Sequence, residues 1–467
     1  MANTLRSDHS LAPKIITLLH EAENRYRQNH PNSQNLHEKA IGILPGGNTR
    51  SVLHTDPFPI YMDRGEGNRL IDVDGHEYLD LVGEMTAGVC GHSNPIIRDA
   101  IISTTTKTGL NLGATTAAEA SFAEKIRNRF PSMERMRFCN SGTEANLYAL
   151  SLARQATGLN KVIVFNGGYH GGVLMFLHGV AENTVDKNDW VVGTYNDEEG
   201  VQRLISDNKG IAAAVLVEGM QGAGGCIPGS VKFLHSIQKA TKENGMIFIM
   251  DEVMTSRLAP GGLQSTIIDP QGNAPLKPDI TTLGKYIAGG MTIGVFGGRK
   301  ELLSLYDPRP FSESNVQKQP AQMSHSGTFN NNTLAMHVGL VALSAVYTPE
   351  VCTKLNALGD WFRQELLDRC RGTRMTVTGV GAVCNIHFGG SHEDGLEILR
   401  IEDLNARRSI DDSVLGDIFW FRAVQKGFWI ARRGMLALTM GTTRAELQGF
   451  LDFVEDISRE FRNLQAI

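Results

Sequence analysis

Short, mostly apolar runs recur through the middle of the chain. They are Arg135–Asn140, Lys161–Asn166, Ala213–Val217, Met246–Met250, Ile280–Leu283 and Ile293–Phe296. Runs of this length without polar alternation predict strands buried on both faces. Stretches with helical spacing separate some of them, among them Leu147–Ala156 and Val231–Asn244. Strand followed by helix, repeated, predicts a mostly parallel, doubly wound α/β sheet with helices on both faces.

The pattern differs on either side. Leu11–Arg27 carries Ile15, Leu18, Leu19 and Ala22 at helical spacing and predicts an amphipathic packing helix. Tyr61–Val82 alternates about Asp74-Gly75, which predicts a hairpin in a small antiparallel sheet. Gly88–Pro95 is a glycine-rich loop entering a helix near Ile96, and a further helix starts near Leu334. Ser304–Gln322, polar with three prolines, predicts a loop. Beyond Thr348 the expected order is a helix (Val351–Arg371), strands at Met375–Val380 and Ala382–Phe388, a helix (Phe419–Lys426), a strand (Phe428–Met440) and a helix (Arg444–Leu464). Glu393–Asp412 is polar and shows no period. The expected partition is therefore 1–82, an N-terminal helix and small sheet; 83–345, a large ligand-binding domain; and 346–467, an α+β domain. The first and last together build a minor domain.

Composition narrows the function. With 467 residues the chain exceeds one simple core. A net charge of -5 gives no electrostatic reason to bind nucleic acid or an anionic membrane. No apolar run approaches a membrane span, and the polar start Met1–Ser10 lacks a secretory core. The six cysteines show no CxxC spacing, so no metal is expected and the thiols read as reduced, as in the cytoplasm. The 50 glycines gather in loops between apolar runs, suggesting close approach of backbone to a ligand.

Candidate chemistry sits just past the strand ends, where open parallel sheets bind ligands. Lys285 follows one strand within Leu283-Gly284-Lys285, and Asp251-Glu252-Val253 ends another. A lysine and a carboxylate in one pocket are what pyridoxal 5'-phosphate requires: an amine to form the Schiff base and an acid to keep the pyridine nitrogen protonated. Ser141-Gly142-Thr143, between a strand and a helix, offers hydroxyls and free N–H groups to a phosphate, or else an ordinary N-cap with Glu144. Tyr169-His170, bracketed by glycines, could lie flat on a planar ligand. Glu218 closes a further strand. Arg50, after Pro45-Gly46-Gly47-Asn48-Thr49, is a candidate anion anchor or a plain surface residue. Arg432-Arg433 interrupts an apolar strand, and on a strand only one of two neighbours would face a site.

Together, in this order, the motifs Asn-Ser-Gly-Thr-Glu-Ala (140–145), Tyr169-His170-Gly171, Val-Glu-Gly at Glu218, Asp251-Glu252-Val253, Leu283-Gly284-Lys285 and Gly327-Thr328 resemble the class III, fold-type-I pyridoxal-phosphate aminotransferases. The resemblance runs from about Leu44 to the C-terminus. It implies that Lys285 binds the cofactor and shuttles protons, and that Asp251 pairs with the pyridine nitrogen. It also implies Val253 and Tyr169 on the two ring faces and Gly142 and Thr143 on the phosphate. Thr328 would reach the neighbouring subunit's phosphate, which implies a homodimer. The loop Pro45–Ser51, the motif Asp251–Arg257 and Ser324–Asn332 are most similar to β-amino-acid (β-phenylalanine type) aminotransferases. Glutamate-1-semialdehyde 2,1-aminomutase is the alternative. The chain departs from it at Gly83–Thr86, where that family has a small residue and a tryptophan, and at Arg432-Arg433, where it resembles Pro-Ser. An alternative of another class is a catalytically inactive scaffold, against which Lys285 and Asp251 stand. The expected substrates are an amino acid donor and a keto acid such as 2-oxoglutarate.

Overall fold

The computed structural model describes residues 13–180, 183, 185–309, 323–389 and 397–465. Helix α1 (Pro13–Asn29) turns Ile15, Ala22 and Tyr26 inward, as its spacing predicts. Strands β1 (Met62–Glu66), β2 (Arg69–Asp72) and β3 (Glu77–Asp80) pair antiparallel, with the β2–β3 reversal at Asp74-Gly75. Gly75 has φ 91° there, a conformation that costs glycine little and other residues more.

The central sheet contains β4 (Arg135–Cys139), β5 (Lys161–Phe165), β6 (Trp190–Gly193), β7 (Ala212–Glu218), β8 (Ile247–Asp251), β9 (Ile280–Gly284) and β10 (Gly294–Gly298). Their spatial order is β4-β10-β9-β8-β7-β5-β6. β10 runs antiparallel to both neighbours, and the remaining adjacent pairs are parallel. Two cores explain the lack of polar alternation. Val162, Val164, Ala214, Leu216 and Ile249 pack with Ala145, Ala149 and Ala153 of helix α2 (Gly142–Thr157) on one face. Ile163, Val215, Val217, Phe248 and Met250 pack with Phe233, Leu234 and Ile237 of helix α3 (Val231–Asn244) on the other. Each large apolar side chain buried this way contributes roughly 1.5–3 kcal/mol.

The C-terminal part comprises α4 (Pro349–Cys370), β11 (Met375–Val380), β12 (Val383–Phe388), α5 (Ile410–Gln425), β13 (Phe428–Trp429), β14 (Met435–Ala437) and α6 (Arg444–Gln465). β13 adds parallel to β3, so the two ends of the chain share one sheet, β1-β2-β3-β13.

Two expectations need correction. The strand expected over Phe428–Met440 is two short strands, because the chain reverses at Arg432-Arg433. Gly434 closes this turn at φ 93°, donating to the Ala431 carbonyl at 2.8 Å, and a Cβ there would stand 2.1 Å from the Ile386 oxygen. The helix expected at Phe419 begins at Ile410, where Ser409 and Asp412 form a reciprocal capping box. The unassigned stretch before it holds a short helix, Ile401–Asn405. Residues 1–12 and 310–322, part of the predicted N-terminal helix and polar loop, lie outside the described residues, as do 390–396.

Candidate active site

The carboxyl ends of β7, β8 and β9 bring three predicted groups together. Asp251 stands opposite Glu218 on one side and Thr282 on the other. It is buried, 4% exposed, and held from several sides. Its Oδ1 accepts from the Val253 N–H at 2.9 Å; its Oδ2 accepts from Asn146 Nδ2 at 2.8 Å and His170 Nδ1 at 2.9 Å. A carboxylate only accepts, so His170 Nδ1 carries the proton. Thr282 donates to Asn146 Oδ1 at 2.7 Å, which aims the amide NH2 at Asp251. His170 is therefore turned edge-on to Asp251 and does not lie open to a ligand. Asn146 and Thr282 escaped the sequence reading. A buried asparagine one turn into an otherwise apolar helix face was the available signal.

Lys285 leaves β9 at φ 55°, a left-handed conformation that is costly for a side chain with Cβ. Its amine makes no hydrogen bond or ion pair with the described residues, and the side chain keeps some accessible surface although protein surrounds it. Burial pulls its pKa below the usual lysine value. Asp251 and Glu218 oppose that shift, while Arg433 and Arg257 add to it. Part of the lysine population is thereby shifted toward the free amine. Glu218 is pushed the other way, to about 7, chiefly by burial. Its oxygens take the Tyr169 N–H at 2.9 Å and the Gly222 N–H at 3.0 Å, and Tyr169 itself stays 39% exposed.

Beside Lys285, α2 begins at Gly142. Ser141 is its N-cap, accepting from Glu144 N–H at 3.1 Å, so the capping alternative is realised. The hydroxyl proton remains free to donate, and the first N–H groups of a helix have no intrahelical acceptor. Anion affinity and capping thus coexist. Close contacts define the pocket: a Cβ on Gly142 would lie 2.6 Å from Val253 Cγ1, and one on Gly171 would lie 2.3 Å from Thr143 Oγ1. Val253 is wedged between the helix start and Gly284.

The arginines separate. Arg432 donates to Asp417 at 2.7 Å and to the Asp56 carbonyl at 2.6 Å, with its guanidinium over Trp420 and Phe421. Its hydrogen-bonding capacity is thus largely used, so the expectation of a free anchor moves to its neighbour. Arg433 has no carboxylate partner among the described residues and touches the Met435 sulfur at 3.3 Å. Both border a cavity of about 370 Å³, which Val52, Met85, Phe388 and Ala431 also line. Arg50 is exposed and paired with Glu84. Val52 and Met85, close in sequence to Arg50 and Glu84, line the same cavity, although the paired side chains themselves do not. Thr328 is exposed on a turn and makes no link to Lys285 in this chain. Two residues on, Asn330 accepts from Asn140 at 3.1 Å, beside the start of α2. A larger surface depression of about 680 Å³, near Arg135 and Tyr306, contains none of this chemistry.

Residues 51–441 match the family profile described as Aminotransferase class-III. The chain belongs to the class III aminotransferases. An aminotransferase of Schizosaccharomyces pombe is 46% identical over 446 residues, covering 95% of this chain and 94% of that one. The β-phenylalanine transaminase of Variovorax paradoxus is 40% identical over 439 residues, covering 94% and 95%. A solved structure of a β-phenylalanine aminotransferase from Variovorax paradoxus superposes with TM-score 0.87 at 38% identity, covering 96% of this chain and 98% of the other. Glutamate-1-semialdehyde 2,1-aminomutases are more distant relatives. The fold is fold type I, and the aminotransferase is an enzyme with pyridoxal phosphate as its cofactor. The residues fit that group. There is an unpartnered lysine amine, a carboxylate braced by two side chains, and a helix start kept free of side-chain bulk.

Proposed function

We propose that this aminotransferase takes its amino group from a β-amino acid and delivers it to a keto acid such as 2-oxoglutarate or pyruvate, in two half-reactions at one site. Pyridoxal phosphate, when bound, supplies an electron sink and a temporary carrier for the amine. In this proposal Lys285 holds the cofactor and, as a free amine, moves the proton between substrate and cofactor carbons. Asp251, oriented by Asn146 and His170, faces the pyridine nitrogen and favours its protonated form. Val253 and Tyr169 bound the ring, with Glu218 fixing the backbone of Tyr169. Ser141, Gly142 and Thr143 take the phosphate, and Thr328 of a second copy completes it. Burial of all six cysteines as free thiols supports a cytoplasmic enzyme.

The observation that carries the substrate assignment is Arg433 at the cavity, without a carboxylate partner among the described residues, with Arg50 on a separate loop whose Val52 lines the same cavity. Donor and acceptor both bear a carboxylate, but in a β-amino acid it lies one carbon further from the amine. One fixed arginine cannot serve both while the reacting carbon stays in place. Identity to a β-phenylalanine transaminase supports the same assignment. The aminomutase alternative is disfavoured by the departures at Gly83–Thr86 and Arg432-Arg433.

A panel of β- and α-amino acids against 2-oxoglutarate and pyruvate tests this, with the β-amino acids expected to show the larger kcat/KM. Arg50→Ala and Arg433→Ala should each lose about one to two decades of kcat/KM, the worth of a charge-assisted bond of roughly 1.5–3 kcal/mol. The losses should be unequal for donor and acceptor. Turnover confined to α-amino acids, or equal losses from one arginine with none from the other, would overturn the assignment.

A further inference from the structure

Arg257 ends the Asp251–Arg257 motif and is fully buried. The groups that act most on its charge are Tyr347, Tyr286, Cys352 and Cys90, none of them a carboxylate, and it has no ion pair among the described residues. Burying a guanidinium without an acid is costly, so its contacts must be worth keeping. Both are backbone carbonyls: Nη1 donates to Thr86 O at 2.9 Å and Nη2 donates to Leu438 O, while Nε finds no partner. The backbone of Arg257 is held in turn, its carbonyl accepting from Tyr347 Oη at 2.7 Å and Asn356 Nδ2 at 2.9 Å.

Thr86 closes an unusual turn. Gly83, Glu84, Met85 and Thr86 have φ of 52°, 50°, 50° and 77°, four consecutive left-handed residues of which three carry a Cβ. L-residues do not hold such a run unless the surroundings impose it. The turn carries Glu84, the partner of Arg50, and Met85, which lines the cavity with Arg433. Leu438, the other carbonyl, follows β14 directly, and the neighbouring Ala437 N–H donates to Leu81 O at 2.7 Å.

We propose that Arg257 is a positioning residue of the aminotransferase site, pinning the left-handed turn Gly83–Thr86 so that Met85 is presented to the substrate cavity and Glu84 to Arg50. The clamp rests on that cavity being the substrate site but not on which amino acid fills it.

The test uses Arg257→Lys, Arg257→Gln and, independently of the arginine, Gly83→Ala, which places a methyl at φ 52° and 3.0 Å from Thr439 Cγ2. In Arg257→Lys and Gly83→Ala, amide exchange across 82–88 should rise at least tenfold while peptides of β8 and β9 stay protected. The amino-donor KM should rise at least tenfold, with kcat changing about threefold or less. Wild-type exchange and KM in Gly83→Ala would overturn the proposal. So would Arg257 variants whose exchange rises uniformly along the chain, since that is the mark of a purely structural residue. If the amino-acid panel fails but exchange at 82–88 still responds locally, the substrate assignment falls and the clamp stands.

Discussion

Asp251 shows what a single side chain can and cannot reveal. Its position at the end of an apolar run marked it as a candidate, but an aspartate there is as often a turn residue. Its significance comes from Asn146, His170 and Thr282, which orient the carboxylate from three different segments. A carboxylate facing the pyridine nitrogen raises the ring's pKa by roughly 1–3 units, worth about 1.4–4 kcal/mol. Asp251→Asn keeps the shape and loses that charge, so it should retain cofactor absorbance while kcat falls at least tenfold. Steady-state kinetics on the fully loaded variant decides it, and a kcat within about a factor of two of wild type would remove Asp251 from that role. The two arginines were less legible. Adjacent on an assumed strand, they were expected to point to opposite faces. Instead Gly434 makes them part of a turn, and the nearby Asp417 and Trp420 leave Arg433 as the free one.

At the scale of elements, the start of α2 was readable from its strand, small-residue turn and helix. The sequence left phosphate binding and capping as alternatives. The folded geometry removes the conflict, because Ser141 caps through its oxygen and keeps its proton, while Gly142 and Thr143 retain unbonded N–H groups. The glycine at 142 is required by packing: Val253, from the end of β8, fills the place a Cβ would take. Gly142→Ala should push Val253 and the helix start apart, weakening cofactor binding at least tenfold. The helix itself should survive, since alanine is the better helix former. Fluorescence titration of the apoprotein with pyridoxal phosphate measures the first, and circular dichroism the second. Unchanged cofactor affinity would mean that the phosphate is held elsewhere.

At the scale of the whole molecule, Thr328 lies exposed on its turn and Phe329 beside it is 55% exposed. Ile43, Leu44, Leu110 and Leu112 also leave apolar surface open. These features fit a homodimer in which each copy completes the other's phosphate site. Dilution through the dimer dissociation constant should then lower cofactor affinity and activity together, followed by light scattering and assay at matched concentrations. A fully active monomer would contradict it. The sheet and its two covering layers were legible because burial on both faces imprints continuous apolar runs, and the motifs were legible because each lies within a few residues of a strand end. We keep 1–82 and 346–467 as parts of one minor domain, a division motivated by β13 pairing with β3. Local sequence determined the central strands and the helices that cover them, and made Lys285 and Asp251 candidates, since those depend on periodicity and on side-chain chemistry. Tertiary structure decided which groups brace Asp251, which arginine is free and what the buried Arg257 holds in place. Those depend on contacts between residues 181 apart in Arg257–Leu438 and 376 apart in Arg432–Asp56, and no local pattern along the chain encodes such distances.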